Sequence, residues 1–226
     1  MGKTVLLTAH SGADNRPDNS LEFVDYALRS DADALEVDVR RNSQGVLALG
    51  HDAAGASAPT LWDTFLRVAE HPSMKINCDL KERGLEVEVS HLAERAGLGG
   101  RLIFSGSFDV AALTCRSDLL KIADVYLDVE GYVPNLYWNY RDIPDFDLEA
   151  ADRICEACLA AGIQTANIYH GLVTRRFIEF LSRKGIGVSA WTVDESEALE
   201  WFFQRGVQNV TTRRIASALA LRREGR

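Results

Sequence analysis

Two histidines and two closely spaced carboxylates within the first 52 residues are the side chains best suited to chemistry: His10, Glu36, Asp38 and His51, the last followed by Asp52. Glu36 and Asp38 stand two apart in ALEVDV. In a strand, residues i and i+2 point to the same face. Leu35, Val37 and Val39 then face one way, suited to packing on helices, and Glu36, Asp38 and Arg40 face the other. Adjacent carboxylates repel unless a cation lies between them, and an oxygen-only donor set suits a hard divalent ion. Two histidines bracketing the pair offer an acid and a base. The bland alternative is that Arg40 and Arg41 neutralise the carboxylates and that the histidines are structural or simply exposed.

The same alternation recurs downstream. In KINCDLK (75–81), Ile76, Cys78 and Leu80 share one face and Asn77, Asp79 and Lys81 the other. In DVYLDVE (124–130), Asp124, Tyr126, Asp128 and Glu130 oppose Val125, Leu127 and Val129, and in GVSAWTV (187–193) Ser189 and Trp191 share a face. Asp128 and Glu130 read equally as lumen lining or as a solvated loop base. Strand-like runs at 5–10, 33–39, 75–81, 101–107, 124–130, 165–171, 187–193 and 207–212 are each followed by a helical pattern, several ending in Gly after a basic residue. Eight such units predict an α/β fold, a (β/α)8 TIM barrel, as a single domain over residues 1–226. A doubly wound sheet is the alternative, but no glycine-rich dinucleotide turn is present. The irregular stretch 131–147 reads as a loop over the barrel mouth. Barrel enzymes carry their chemistry at the carboxyl ends of the strands, where His10, Glu36, Asp38, Asp79 and Lys81 all fall.

Composition limits the partners. The chain has 226 residues, 46% apolar and 26% charged, with a net charge of −8. That balance argues against broad binding to nucleic acid or anionic membrane. The opening MGKTVLLTAH is too short and too quickly polar for a signal peptide, and no apolar run nears the roughly 20 residues of a membrane helix. Cytoplasmic residence and no membrane insertion are the expectations. Cys155 and Cys158 form a C-x-x-C inside a helical pattern with no second pair, which reads as buried packing rather than zinc or redox chemistry. His71 and His91 read as helix-surface residues. His170, beside Tyr169, is a weaker candidate for substrate contact. Trp201, Phe202 and Phe203 form either a contact patch or part of the core, and oligomeric state is unreadable. The tail LRREGR reads as a solvated helix end.

Taken in order, several short motifs resemble the glycerophosphodiester phosphodiesterase family, a branch of the phosphatidylinositol-phospholipase-C-like barrels. They are AH at 9–10, NS within PDNS (17–20), the E-x-D of ALEVDVRRN, HD at 51–52, PTLWDTF (59–65), INCDLK, SF (107–108), WTVDE (191–195) and GVQNVTTR (206–213). The resemblance runs end to end. It implies a small-molecule phosphodiester substrate and one divalent cation, Mg²⁺ or Ca²⁺, on Glu36, Asp38 and Asp79. It further implies His10 and His51 as the acid–base pair, Lys81 facing phosphate, Trp191 as an aromatic wall, and Asn19 near the metal site. A preference for His10 as base and His51 as acid goes with it.

The departures are specific. The family's His-Arg pair is His10-Ser11 here, its Pro-Glu-Asn-Thr is Pro17-Asp18-Asn19-Ser20, its third ligand Glu is Asp79, and its last-strand Thr-Asp is Thr212-Arg213. The inserted subdomain that usually caps the pocket is missing after His51. The Asp79-x-Lys81 form also resembles sphingomyelinase-D-type phospholipases, whose relatives make a cyclic phosphate. A catalytically impaired metal- and phosphate-binding barrel is the third expectation. Ser11 cannot neutralise a phosphate, so Arg213 is expected to replace part of the lost guanidinium; alternatively it points to solvent or pairs with Asp194 or Glu195.

Overall fold

Among the described residues, the period-two runs form strands and the helical patterns form helices. The computed structural model describes residues 5–110, 119–133 and 148–224. Its strands are β1 (Leu6–Ala9), β2 (Ala34–Arg41), β3 (Leu47–Leu49), β4 (Lys75–Leu80), β5 (Leu102–Gly106), β6 (Ala123–Asp128), β7 (Thr165–Tyr169), β8 (Gly187–Trp191) and β9 (Asn209–Thr212). The helices are α1 (Leu21–Arg29), α2 (Leu61–Ala69), α3 (Glu86–Arg95), α4 (Leu119–Ile122), α5 (Leu148–Ala161), α6 (Arg175–Arg183), α7 (Ser196–Phe203) and α8 (Ile215–Glu224). Local chemistry starts several of them. Ser20, Thr60 and Thr174 each accept a hydrogen bond from the backbone N–H three residues on, at Phe23, Asp63 and Phe177.

The strand order is β1-β9-β8-β7-β6-β5-β4-β2, and β1 also pairs with β2, so eight parallel strands close into a barrel. This is the (β/α)8 architecture expected from the sequence. The ninth strand, β3, is antiparallel to β2, with Val39 opposite Leu49. Asn42 makes that reversal, its side-chain oxygen accepting from the N–H groups of Gln44 and Val46. The hairpin then returns the chain to the mouth, where the Gly50 N–H donates to the Asp38 carbonyl. His51 is the next residue, so the hairpin sets its place.

The two faces of the barrel wall separate cleanly. Leu35, Val37, Val39, Ile76, Cys78 and Leu80 are fully buried in the main core. Inside the barrel, Ala34, Ile103, Tyr126 and Leu6 form a small apolar layer at the amino-terminal end. Above it the lumen is polar. Thr8 donates to Asn209, Asn209 donates to Ser189 and Thr211, and Ser105 donates to Asn77. Interlocked polar groups at this depth cost little because each has a partner.

Several outlying expectations resolve here. Phe202 is buried, and Trp201 and Phe203 pack against the core, so the aromatic trio of α7 belongs to the interior. Cys155 and Cys158 are buried and free on α5, and burial raises both thiols, Cys158 to about 12. A thiol so raised is a poor ligand or nucleophile. The tail is solvated at Arg223 and Glu224, but Arg222 is largely covered and pairs with Asp33, and Arg223 pairs with Asp31, fastening α8 beneath the start of β2. Asp33 also accepts the Leu7 N–H, at 2.8 Å, so one carboxylate ties β1 and α8 together. Residues 134–147 of the expected mouth loop, and 111–118 of the helical pattern with Cys115, lie outside the described residues. Among the described residues no helix is long and apolar enough to cross a membrane.

Candidate active site

Parallel register assembles the site. Across β2 and β4, Glu36 is the partner of Asn77 and Asp38 of Asp79. Alternation points all four side chains into the lumen. Glu36, Asp38 and Asp79 each offer a ligand oxygen within 4.8 Å of the others, and among the described residues no other three His, Cys, Asp or Glu gather this way. The arginines do not neutralise this cluster. Arg40 approaches Glu82 at 3.9 Å and Arg41 meets Glu88 at 2.5 Å, both on the outer rim.

The carboxylates are held individually. Asp38 accepts from the Asn19 side-chain amide at 2.7 Å and from Lys81 at 2.8 Å, and its own N–H donates to Asn19 Oδ1 at 2.9 Å. Asp79 Oδ2 accepts from Lys81 at 2.7 Å, while Oδ1 is buried without a hydrogen-bond partner. Glu36 accepts the Ser11 N–H at 3.0 Å. Burial pushes Glu36 up to about 7, with His10 opposing and Asp38 and Asp79 adding to the rise. Burial also raises Asp79, against the pull of Lys81. Burial works against the charge on Lys81, but Asp79 and Asp38 outweigh it and hold the ammonium above its usual value. The cluster thus carries more negative charge than one lysine satisfies.

An oxygen-only trio with an orphaned buried carboxylate oxygen fits a hard divalent cation. Glu36, Asp38 and Asp79 are the residues that could hold it.

His10 ends β1. Its Nδ1 lies 2.9 Å from the Ser11 carbonyl and 3.7 Å from Glu36 Oε2. A carbonyl only accepts, so that contact assigns the proton to Nδ1 and leaves the Nε2 lone pair available. His51, on the exposed rim, has Nδ1 2.7 Å from Asp52 Oδ1. Both histidines line one cleft of about 400 Å³ at the carboxyl ends of the strands, together with the three carboxylates, Lys81, Trp191 and Arg213. Trp191 stands edge-to-face with Tyr169, ring centroids 6.0 Å apart. His170 packs its ring against Tyr169 and does not line the cleft. A larger hollow, about 630 Å³, lies at the opposite end near Gly162, Gly185 and Gly206, away from all of these residues.

Ser11 and Arg213 explain the departures in motif. Ser11 is fully buried, and its hydroxyl accepts the Asn19 N–H at 2.7 Å. It supports two carboxylates from behind, Glu36 through its own N–H and Asp38 through Asn19, whose positive φ of 52° needs that support. Ser11→Ala leaves the Asn19 N–H buried without an acceptor and is expected to cost about 1–3 kcal/mol. Denaturant titration at constant slope reads this directly, and a change under about 0.5 kcal/mol, typical of neutral surface substitutions, contradicts it. Arg213 faces the cleft, but its guanidinium is 3.0 Å from Asp18 Oδ1. Its backbone N–H, not its side chain, meets Asp194.

Asp128, readable from the sequence equally as lumen lining or as a solvated loop base, belongs to the lumen. It lines the cleft beside Asp79, accepting from Asn167 at 2.6 Å and from the Gly106 N–H at 3.0 Å. Burial, reinforced by Asp79, pushes it up to about 7.

The site thus combines a carboxylate trio and two histidines at the mouth of a parallel (β/α)8 barrel. No family model matches the chain. In sequence it is 22% identical to the glycerophosphodiester phosphodiesterase GDPD4 of Arabidopsis thaliana, over 92% of this chain and 70% of the plant protein. In fold it is similar to a glycerophosphodiester phosphodiesterase from Parabacteroides distasonis (TM-score 0.74, 15% identity, 99% of each chain). It is also similar to a phosphodiesterase from Oleispira antarctica, solved with the product sn-glycerol-3-phosphate (TM-score 0.70, 14% identity, 96% of each chain). In sequence and in fold, then, the chain is similar to glycerophosphodiester phosphodiesterases.

Proposed function

We propose that this protein is a metal-dependent phosphodiesterase that hydrolyses a small glycerophosphodiester by histidine acid–base chemistry. The observation that carries the reading is the convergence of His10, His51, Lys81 and the three carboxylates on one cleft. Its size suits a small molecule. Glu36, Asp38 and Asp79 hold one divalent cation, Mg²⁺ or Ca²⁺, which when bound supplies Lewis-acid stabilisation of phosphoryl charge.

The chain's own residues do the remaining work. His10, protonated at Nδ1 by its contact with the Ser11 carbonyl, accepts a proton from the attacking water at Nε2. His51 protonates the departing alkoxide from the open side of the cleft, its ring oriented by Asp52. Lys81 offers its ammonium to the phosphoryl oxygens, on which negative charge builds, and Arg213 is the second cation of the cleft. Asn19 fixes Asp38, and Trp191 walls the substrate.

A second reading, a barrel that binds metal and phosphate with little turnover, is favoured by Ser11 being buried and by Arg213 being engaged with Asp18. Phosphorus NMR of the purified protein with Mg²⁺ or Ca²⁺ on a panel of glycerophosphodiesters separates the outcomes. A phosphomonoester signal supports hydrolysis. A cyclic phosphate signal moves the reaction to intramolecular transfer. Unchanged diesters in every mixture leave the binding barrel.

A further inference from the structure

Asp128 is far from the motifs that carry the family resemblance, yet it is tied to the carboxylate cluster through a glycine. The β5–β6 ladder pairs only Leu102, Ile103 and Phe104 with Ala123, Asp124 and Val125. Past that point β5 has no β6 backbone partner, and the Gly106 N–H is met by the Asp128 side chain instead. The other oxygen of Asp128 accepts from Asn167, its direct register partner on β7. One carboxylate therefore joins β5 to β7 where the β5–β6 ladder has ended.

Gly106 is the seat of Asp79. It takes a φ of +82°, and a Cβ built there would lie 2.0 Å from Asp79 Oδ1 and 2.4 Å from the Leu80 carbonyl. Asp79 is thus pressed against the bare Cα of a residue whose amide is held by Asp128. On the β4 side Gly106 is the register partner of Leu80, whose carbonyl accepts the Ser107 N–H at 2.6 Å; on the β6 side, where the ladder has stopped, the restraint on the Gly106 N–H is Asp128. We propose that Asp128 is a positioning residue that fixes the Asp79 carboxylate within the cation-binding trio by pinning the backbone of Gly106, with Asn167 holding Asp128 in turn. The inference deepens the metal reading given above and rests on it for its solution test.

The test compares wild type, Asp128→Ala, Asp128→Asn and Asn167→Ala by calorimetric titration with Mg²⁺ and with Ca²⁺, alongside crystal structures. Removing a partner of a metal ligand typically lowers affinity by about 10–100-fold. Asp128→Ala is expected to fall in that range. Asp128→Asn still accepts from Gly106, and Asn167 can turn its amide to accept the new donor, so it is expected to stay within roughly threefold of wild type by the same scale. Should Asp128→Ala not fold, Asn167→Ala, which keeps the Gly106 contact, serves as the milder variant with an intermediate loss. Wild-type affinity in Asp128→Ala, or in Asn167→Ala if it must stand in, overturns the inference. So does an equal loss in Asp128→Asn and Asp128→Ala, since that makes charge, not position, the cause. If wild type binds neither ion, the metal reading falls, and the crystal structures alone decide. An Asp79 carboxylate displaced in Asp128→Ala and restored in Asp128→Asn supports positioning. An unmoved carboxylate overturns it.

Discussion

His10→Ala is expected to slow the chemical step of diester cleavage by about 10²–10⁴-fold, the usual scale of a lost general acid or base. His10 has its Nδ1 committed to the Ser11 carbonyl and sits 3.7 Å from Glu36, so its free nitrogen is fixed in both tautomer and direction. His51→Ala is expected to cause a loss on the same scale, but of a different kind. A substrate with a very good leaving group needs no proton on departure, so it should rescue His51→Ala and leave His10→Ala slow. Single-turnover rates on paired good and poor leaving groups provide the measurement. Rescue of His10→Ala alone would exchange the two roles, and near-wild-type rates in both variants would remove the histidines from the mechanism.

Mg²⁺ or Ca²⁺ at about 100 times its Kd is expected to stabilise the wild-type protein by about 2.7 kcal/mol. For a chain of this size that is a rise in Tm of roughly 5–10 °C. Asp38→Ala, which removes the carboxylate bonded to both Asn19 and Lys81, is expected to abolish the rise. The gain should also depend on pH. Burial lifts Glu36 and Asp128 to about 7 in the folded protein, well above the values near 4 of an unfolded chain. Between those limits the folded state retains protons that the unfolded state has released. The ion-free protein therefore loses stability as pH rises from about 4 to about 7. An ion on ionised Glu36 competes with that proton below about 7 and offsets the buried charge above it. Melting curves with ion and with chelator should thus separate more at pH 8 than at pH 5.5. A gain that does not vary with pH, or that survives in Asp38→Ala, contradicts the three-carboxylate site.

The cluster was legible because strand periodicity is short-range. Glu36 with Asp38, and Asp79 with Lys81, are each two residues apart, so one rule aims both pairs inward, and parallel register then sets Asp38 beside Asp79. The eight-unit barrel was legible for the same reason, from alternation changing to helical spacing and back. What stayed hidden depends on contacts between segments distant in sequence. Alternation left Asp128 evenly between lumen and solvated loop base, and its bond to Gly106, 22 residues away, follows from where the β5–β6 ladder stops. The motif change at Ser11 read as a loss of charge, whereas the structure turns that side chain into the wall behind Asn19. Arg213 was expected beside the phosphate or paired with Asp194 or Glu195. Its guanidinium partner, Asp18, lies in the β1–α1 connection, whose path no periodic pattern reveals.

The clamp of Arg222 and Arg223 on Asp33 and Asp31 brings the end of α8 to the same pole of the barrel as the start of β1, whose Leu7 N–H shares Asp33. The cleft opens at the other pole. A surface linker, dye or affinity handle joined at exposed Glu224 therefore sits about one strand length from the chemistry, roughly 17–20 Å for a strand of typical size. Molecules tethered there to a sensor chip would all present the same mouth outward. Binding of small diesters could then be followed on the immobilised protein without the support obstructing their approach.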